Sequence, residues 1–138
     1  MNLHSLPPAV RLYGNTEWRG KCPHEGLEQI TFFNRVRSQY PDTWGAIALH
    51  VRNEGKRYRD QIALHKAEGM TAGASDIIIP GRVTFVCELK RQDRTKSKWQ
   101  PGQLEYLEAA GNAGAFSCVA LGCDAAWAAL HDWIDHVA

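Results

Sequence analysis

The chain has 138 residues, 44% of them hydrophobic and 22% charged, and its formal net charge is +1. These values suit one globular domain with its own core and exclude the disordered, fibrous and strongly polycationic classes. Because no apolar run is long enough to cross a membrane and residues 1–12 lack the pattern of a signal peptide, we expect a cytoplasmic protein.

The first 24 residues are the least regular part of the sequence. Prolines and glycines interrupt them, and we predict an irregular N-terminal arm over residues 1–24. From His24 onward apolar residues recur at helical spacing, which predicts a first helix that ends before Pro41. The residues at this spacing are Leu27, Ile30, Phe33 and Val36.

The middle of the chain predicts a strand, a helix and two further strands. TWGAIALHVR alternates between two faces and predicts a strand, with its larger aliphatic residues on the core face. YRDQIALHKAEGM predicts a short helix that ends at Gly69 and has Tyr58 and Ile62 on one side. DIII and RVTFVCELK predict two strands with a turn at Pro80-Gly81 between them.

The last third of the chain predicts helix, strand and helix. QPGQLEYLEAAGNAG has the pattern of a helix, AFSCVALG that of a strand buried on both faces, and CDAAWAALHDWIDHVA that of a closing helix. The predicted order is α-β-α-β-β-α-β-α, in a single domain over residues 25–138. Such an order predicts an α/β fold with a mixed β-sheet flanked by α-helices.

Two carboxylates and a lysine mark the two strands of the middle segment. Asp76 begins DIII, and Glu88 and Lys90 share a face of the next strand because alternate strand residues point the same way. If the strands pair, Asp76 meets Glu88 at a sheet edge, in a site suited to Mg²⁺ with Lys90 beside it. Gln103 opens the following helix, where its amide can position a water or a phosphate. By itself, the same pattern also arises by chance in many soluble proteins.

Basic residues are concentrated in two segments despite the near-zero net charge. One contains Lys56 and Arg57, and the other is the loop with Arg91, Arg94, Lys96 and Lys98. We predict that both contact DNA phosphates, the ordinary alternative being a solvated loop. His50 and Asn53 are further candidates for DNA contact, although such residues are common in turns and edge strands.

The ordered motifs resemble those of the virus-type replication-repair nuclease (VRR-NUC) domain of the PD-(D/E)XK nuclease superfamily. The resemblance extends from Glu25 to Val137. Its motifs are EGLEQ, HVRNEGKR, KAEGMTAGASD, ELK, QLEYL and GCDAAWAAL, in this order. The resemblance implies a restriction-endonuclease-like fold and phosphodiester hydrolysis with Mg²⁺ or Mn²⁺, and no organic cofactor.

The resemblance also implies a role for individual residues. Asp76, Glu88 and the backbone carbonyl of Leu89 correspond to metal ligands, Lys90 to the catalytic lysine and Gln103 to the helix glutamine. A further member of the site is the glutamate of the first helix, which acts at the metal, usually through water. Gln29 favours Glu25 over Glu28 for that position. Ser75 departs from the family, which usually has proline there, and we expect activity to survive the change.

The function implied by the resemblance is structure-selective cleavage of branched DNA, such as a four-way junction or a flap. Phage and bacterial members of this size resemble homodimeric DNA-repair endonucleases, so a homodimer is expected as well. The alternative is a non-catalytic nucleic-acid-binding or assembly protein that keeps the fold. A restriction enzyme that reads base sequence is disfavoured, because so short a chain has no room for a recognition domain.

Overall fold

A computed structural model describes residues 1–51 and 59–138 of the chain. The strands in these ranges are β1 (Val10–Tyr13), β2 (Ile77–Ile79), β3 (Phe85–Lys90) and β4 (Phe116–Leu121). The α-helices are α1 (Glu25–Gln39), α2 (Trp44–Ile47), α3 (Arg59–Ala67), α4 (Gln103–Asn112) and α5 (Cys123–His136). A 3₁₀ turn over Arg94–Lys96 lies in the loop after β3. In the described ranges, every helix is too short or too polar to cross a membrane.

The strands form one mixed sheet in the order β1-β4-β3-β2. β4 is parallel to both β1 and β3, whereas β2 is antiparallel to β3 and pairs Ile77 with Cys87. Helices cover both faces, so every residue of β3 and β4 is buried, as a central strand of this kind requires. The predicted fold class is confirmed.

The two faces of β3 belong to different layers of the molecule. Cys87 and Leu89 lie in the main core together with side chains of α1 and α5, such as Phe32 and Trp133. Val86 lies in a smaller core with Leu107 of α4. Since side chains alternate along a strand, Glu88 and Lys90 share the α4 face with Val86. The fold thus directs both predicted site residues of β3 toward α4.

The prediction of an irregular arm over residues 1–24 was wrong for its central part. Val10–Tyr13 forms β1, which extends the sheet by pairing in parallel with β4, Val10 opposite Ser117. Val10 is buried in the smaller core, whereas Leu12 remains partly exposed. A four-residue edge strand has too little periodicity to be recognised before its partner is known.

The prediction of a strand over TWGAIALHVR was also wrong. Trp44–Ile47 forms the short helix α2, and only Leu49 joins the sheet, through a bridge to Ile78. The amide of Gly45 donates to the carbonyl of Tyr40 at 2.8 Å, because the glycine packs directly against the end of α1. Trp44 packs its ring 4.8 Å from that of Trp133. Tertiary contacts thus override the alternating pattern.

Helix α1 presents a different face to the core from the one its apolar spacing predicted. Phe33 and Val36 are buried as expected, but Leu27 and Ile30 are 55% and 58% exposed. The buried side is completed by Phe32 and Glu28. Ile62, which was predicted to lie on one side of the short helix with Tyr58, is exposed as well. With α1 in this orientation, Oε2 of the buried Glu28 accepts a hydrogen bond from the amide of Cys123.

Candidate active site

A cleft at one edge of the sheet contains all three predicted carboxylates, and two of them, Asp76 and Glu88, belong to neighbouring strand segments. Asp76 directly precedes β2, and its Oδ2 accepts a hydrogen bond of 3.0 Å from the amide of Leu89 in β3. Asp76 thereby continues the pairing of the two strands with its side chain. The cleft has a volume of about 480 Å³. Its lining residues are Glu25, Ala72, Gly73, Ala74, Asp76, Glu88, Gln100, Pro101 and Gln103.

Glu88 is the more deeply buried of the two carboxylates, with an exposure of 1%. Its Oε1 accepts a hydrogen bond of 2.9 Å from Nε2 of Gln103. Its Oε2 is buried and has no hydrogen-bond donor among the described residues. Burial raises the pKa of Glu88 well above its ordinary value, and the neighbouring Asp76 carboxylate raises it further, whereas Lys90 opposes the shift. A buried carboxylate oxygen without a donor is suited to a cation.

The backbone of Leu89 offers a further oxygen on the same side. In a strand, the amide and the carbonyl of one residue point toward the same neighbouring strand. The amide of Leu89 faces Asp76, whereas the carbonyl of Lys90 faces β4 and accepts from Gly122. The carbonyl of Leu89 therefore leaves β3 on the side of Asp76, which agrees with the position expected of a ligand.

Lys90 is enclosed by side chains and has an exposure of only 1%. Its Nζ donates to the carbonyl of Lys98 at 2.9 Å and to Oε1 of Gln103 at 2.9 Å. The same nitrogen lies 4.0 Å from Oε1 of Glu25 and 5.2 Å from the centre of the Trp99 ring. The acceptors, the carboxylate and the aromatic face are all complementary to a positively charged group.

Gln103 joins the lysine to the glutamate, because its amide oxygen accepts from Lys90 and its amide nitrogen donates to Glu88. It is positioned at the first residue of α4 by a close contact between two glycines. Gly73 and Gly102 have positive φ angles of +77° and +87°, and a Cβ on Gly73 would lie 2.1 Å from the carbonyl carbon of Gly102. Only glycine permits this approach, so it fixes the loop before Asp76 against the start of α4.

Helix α1 contributes Glu25 to the cleft and uses Glu28 elsewhere. Oε1 of Glu25 accepts a hydrogen bond of 2.7 Å from the hydroxyl of Ser97. Oε2 of Glu28 accepts from the amide of Cys123 at 2.6 Å, at the N-terminus of α5. A carboxylate stabilises a helix N-terminus, which explains why the polar Glu28 is buried. The geometry therefore brings Glu25, and not Glu28, to Lys90.

The DNA-contact candidates of the middle segment are only partly described. His50 donates from Nδ1 to the backbone carbonyl of Asp76 at 2.8 Å, since a carbonyl oxygen can only accept. It thus supports the backbone of a predicted ligand. Asn53, Lys56 and Arg57 lie outside the described residues.

The basic loop after β3 contacts the N-terminal arm of its own chain. Nε and Nη2 of Arg91 donate to the carbonyls of Pro23 and Cys22, at 3.1 and 2.7 Å. Arg94 donates to the carbonyls of Thr16 and Met1, and Lys96 donates to the carbonyl of Gly20. Lys98 is exposed and has no side-chain partner among the described residues. Of the four residues in this loop that were predicted to contact phosphate, three are thus already hydrogen-bonded to backbone carbonyls of the protein.

The donor set fits a hard divalent cation in its chemistry. Oxygen ligands from two carboxylates and a carbonyl are typical of Mg²⁺, which keeps several waters and substrate oxygens in its shell. Outside the undescribed segment 52–58, no group of three histidine, cysteine, aspartate or glutamate residues converges to form a fuller protein cage. Asp76 and Glu88, with Leu89, would accordingly supply only part of a coordination shell.

Several residues of the site were missed by the sequence analysis. Ser97 holds Glu25, Trp99 covers Lys90, and Gly73 and Gly102 set the distance between two loops. None belongs to a periodic element, so spacing gives no signal for them. The Pro-Gly dipeptide before α4 does indicate a turn, but not the contact that it makes.

Comparison with solved structures identifies a similar fold. Models of known protein families and curated proteins give no match to the sequence. A solved structure described as a VRR_NUC domain protein matches with a TM-score of 0.69 and 22% identity, over 86% of this chain and 92% of that chain. At such an identity the likeness concerns the fold, and it agrees with the resemblance predicted from the motifs. The chain thus has the fold of a VRR-NUC domain protein.

Proposed function

We propose that the protein is a metal-dependent DNA endonuclease that hydrolyses phosphodiester bonds in branched DNA. The observation that carries the proposal is the buried pair of Glu88 and Lys90, joined through Gln103 at a cleft that also contains Asp76. Burying an acid and a base costs stability unless their partners compensate for lost hydration. Because an open cleft lies beside them, a substrate can reach these groups, and a costly buried pair next to a cleft is typical of an active site.

The residues that would hold Mg²⁺ or Mn²⁺ are Asp76, Glu88 and the carbonyl of Leu89, with Glu25 acting through water. The chemistry such an ion supplies is polarisation of a phosphate oxygen and a lower pKa for a bound water. The unpartnered Oε2 of Glu88 supports this assignment, because burial and the nearby Asp76 carboxylate disfavour its anionic form and a cation would stabilise that form.

Lys90 and Gln103 have complementary tasks in the proposed reaction. The Lys90 ammonium stabilises negative charge that develops on the phosphate, and its two acceptors restrict its position before substrate arrives. Gln103 fixes the orientation of both neighbours, since its amide oxygen faces Lys90 and its amide nitrogen faces Glu88. Such preorganisation lowers the reorganisation needed in the transition state.

Cleavage of a substrate panel tests the proposal. Four-way junction, flap, nicked and linear DNA are incubated with Mg²⁺ or Mn²⁺ and with wild type, Asp76→Asn, Lys90→Met or the exposed control Arg82→Ala. Wild type and the control should cut the branched substrates, whereas both site variants should lose activity by about 100-fold or more while remaining folded. Equal cleavage by Asp76→Asn and wild type would show that the site is assigned to the wrong residues.

A non-catalytic nucleic-acid-binding protein is the second candidate. It is favoured by one observation: within residues 1–51 and 59–138, no three histidine, cysteine, aspartate or glutamate side chains are placed so that all three could hold one metal ion. The same panel separates the two functions. Binding of junctions without cleavage in either metal would support the second candidate.

A further inference from the structure

A second groove lies beside the acidic cleft and has the opposite charge. It has a volume of about 280 Å³ and shares Glu25 and Gln100 with the cleft. The side chains that give it positive charge or hydrogen-bond donors are His24, Arg91, Lys96 and Lys98. A ligand that fills the cleft and extends beyond it would therefore meet basic side chains in the adjoining groove.

The basic side chains of this groove differ in how many of their hydrogen-bond donors are already bonded to protein. Lys98 and His24 are exposed, and neither side chain has a hydrogen-bond partner among the described residues. Lys96 donates one bond, to the carbonyl of Gly20, and an ammonium group has three N–H donors. Arg91 holds the arm through two of its five N–H groups. Lys98 and His24 thus offer the greatest capacity for a new anionic partner.

The backbone of Lys98 fixes the groove relative to the predicted reaction centre. Its carbonyl accepts the 2.9 Å hydrogen bond from Nζ of Lys90, while its side chain is exposed at the groove. Ser97 ties the same loop to Glu25 at 2.7 Å. The backbone of Lys98 is therefore anchored by Lys90, and its neighbour Ser97 is tied to Glu25 of the cleft lining.

We propose that this groove binds the DNA backbone phosphate next to the scissile one, through Lys98, Lys96 and His24. The inference rests on the proposed function. A phosphodiester chain carries one charge per nucleotide, so a phosphate at the cleft brings its neighbour to an adjoining site. The lining contains no phenylalanine, tyrosine or tryptophan ring on which a base could stack, which favours backbone contact over base recognition. Arg94, which holds Thr16 and Met1, is absent from the lining and takes no part.

A methylphosphonate scan tests the subsite without requiring cleavage. Asp76→Asn protein binds four-way junctions in which a single phosphate is replaced by an uncharged methylphosphonate, moved one position at a time along each strand. Fluorescence anisotropy gives Kd for this parent and for versions that also carry Lys98→Ala, His24→Ala or Arg82→Ala. Arg82 is a suitable control, because it is exposed in the turn before β3, at the opposite end of that strand from Lys90.

One methylphosphonate position should weaken binding by the parent several-fold, and that loss should disappear with Lys98→Ala and shrink with His24→Ala. Lys98→Ala should also reduce the salt slope, d log K/d log[salt], by about one. A loss that persists in Lys98→Ala, or that Arg82→Ala removes equally, would overturn the subsite. Failure of wild type to cut DNA that it binds would overturn only the endonuclease activity, since this assay measures binding.

Discussion

At the scale of single residues, the site consists of polar groups that complete one another's hydrogen bonds. Lys90 has two acceptors, and Gln103 satisfies both its lysine and its glutamate neighbour. The prediction of Asp76, Glu88 and Lys90 as site residues needed the ordered motifs of the family resemblance as well as their spacing, because the spacing alone also arises by chance. Their links to Ser97 and Trp99 follow from loop geometry and have no counterpart in sequence periodicity. The roles of these residues remain predictions.

Replacing Glu88 with glutamine should separate stability from function. The substitution Glu88→Gln keeps the shape and an oxygen for Gln103 but removes a buried charge with an unpartnered oxygen. In EDTA we expect thermal unfolding to occur at higher temperature, corresponding to about 1 kcal/mol or more. Stabilisation by added Mg²⁺, which we expect in wild type through linkage, should be lost.

Thermal scans with and without Mg²⁺ measure both effects for this variant. The exposed Glu108→Gln in α4 is a matched control, because it makes the same chemical change outside the cleft lining. Equal Mg²⁺ stabilisation of Glu88→Gln and wild type would contradict a ligand role for Glu88.

At the scale of elements, contacts between segments decide what local patterns leave open. The buried strand β4 and the helices α4 and α5 are long or uniformly apolar, so their sequences predict them well. Strand β1 depends on the free edge of β4, and α2 depends on the fit of Gly45 against α1. Neither dependence can be read from a local sequence window.

The contact between two glycines at the cleft predicts the effect of Gly73→Ala. The new methyl group combines a left-handed backbone with a clash against Gly102, so we expect at least about 2 kcal/mol lower stability. Activity should fall as well, since Asp76 and Gln103 adjoin these two loops. Urea unfolding and cleavage assays measure the two losses.

Gly114→Ala is the control for this substitution. Gly114 also has a positive φ, +104°, but a Cβ there meets no atom within 4 Å, so the variant bears backbone strain alone. Equal destabilisation of the two variants would show that close packing at Gly73 contributes nothing.

The loop between β3 and α4 predicts an acid-sensitive contribution to stability. Asp93 is 3% exposed and accepts hydrogen bonds from Thr95 and from the amide of Gly20. The pKa of Asp93 is lowered to about 2 from an ordinary value of 3.8, and the hydrogen bond from the Thr95 hydroxyl is the largest cause. Because the folded pKa is depressed, this contribution is present above pH 4 and is lost as pH falls toward 2.

Urea unfolding of Asp93→Asn and wild type from pH 7 to pH 2.5 measures this contribution. The variant should be less stable at pH 7, and the gap should narrow only below about pH 4. Asp135→Asn, at an exposed position without a side-chain partner among the described residues, should show no such pattern. A gap that stays constant over the whole range would refute the assignment to Asp93.

At the scale of the whole molecule, the basic loop and the N-terminal arm stabilise each other. Arg94 links the loop to Thr16 and Met1, so residues far apart in sequence are joined near the candidate site. The sequence predicted the fold class and the cleft-lining carboxylates, but it assigned Arg94 to DNA on charge alone. Charge does not distinguish a phosphate from a backbone carbonyl as the acceptor of an arginine.

Arg94→Ala and Lys98→Ala should therefore change different properties: the first the stability of the fold, the second the salt dependence of DNA binding. Arg94→Ala removes hydrogen bonds to the arm and should lower the free energy of unfolding by about 1 to 3 kcal/mol, with little change in the salt dependence of DNA binding. Lys98→Ala should leave stability within about 0.5 kcal/mol of wild type, because its side chain is exposed. Urea titration measures the free energy of unfolding, and fluorescence anisotropy at several salt concentrations measures the salt slope of DNA binding. A reduced salt slope in Arg94→Ala would show that Arg94 contacts DNA phosphate after all.

The composition of the cleft has a consequence for its charge balance. When ionised, Glu25, Asp76 and Glu88 contribute three negative charges, and Lys90 neutralises one of them. The remaining two equal the charge of a divalent ion. A monovalent ion would leave the cleft anionic and repel phosphate, whereas Mg²⁺ would make it neutral overall. Under the proposed function, a polyanionic substrate would therefore enter the cleft favourably only after a doubly charged ion had bound there.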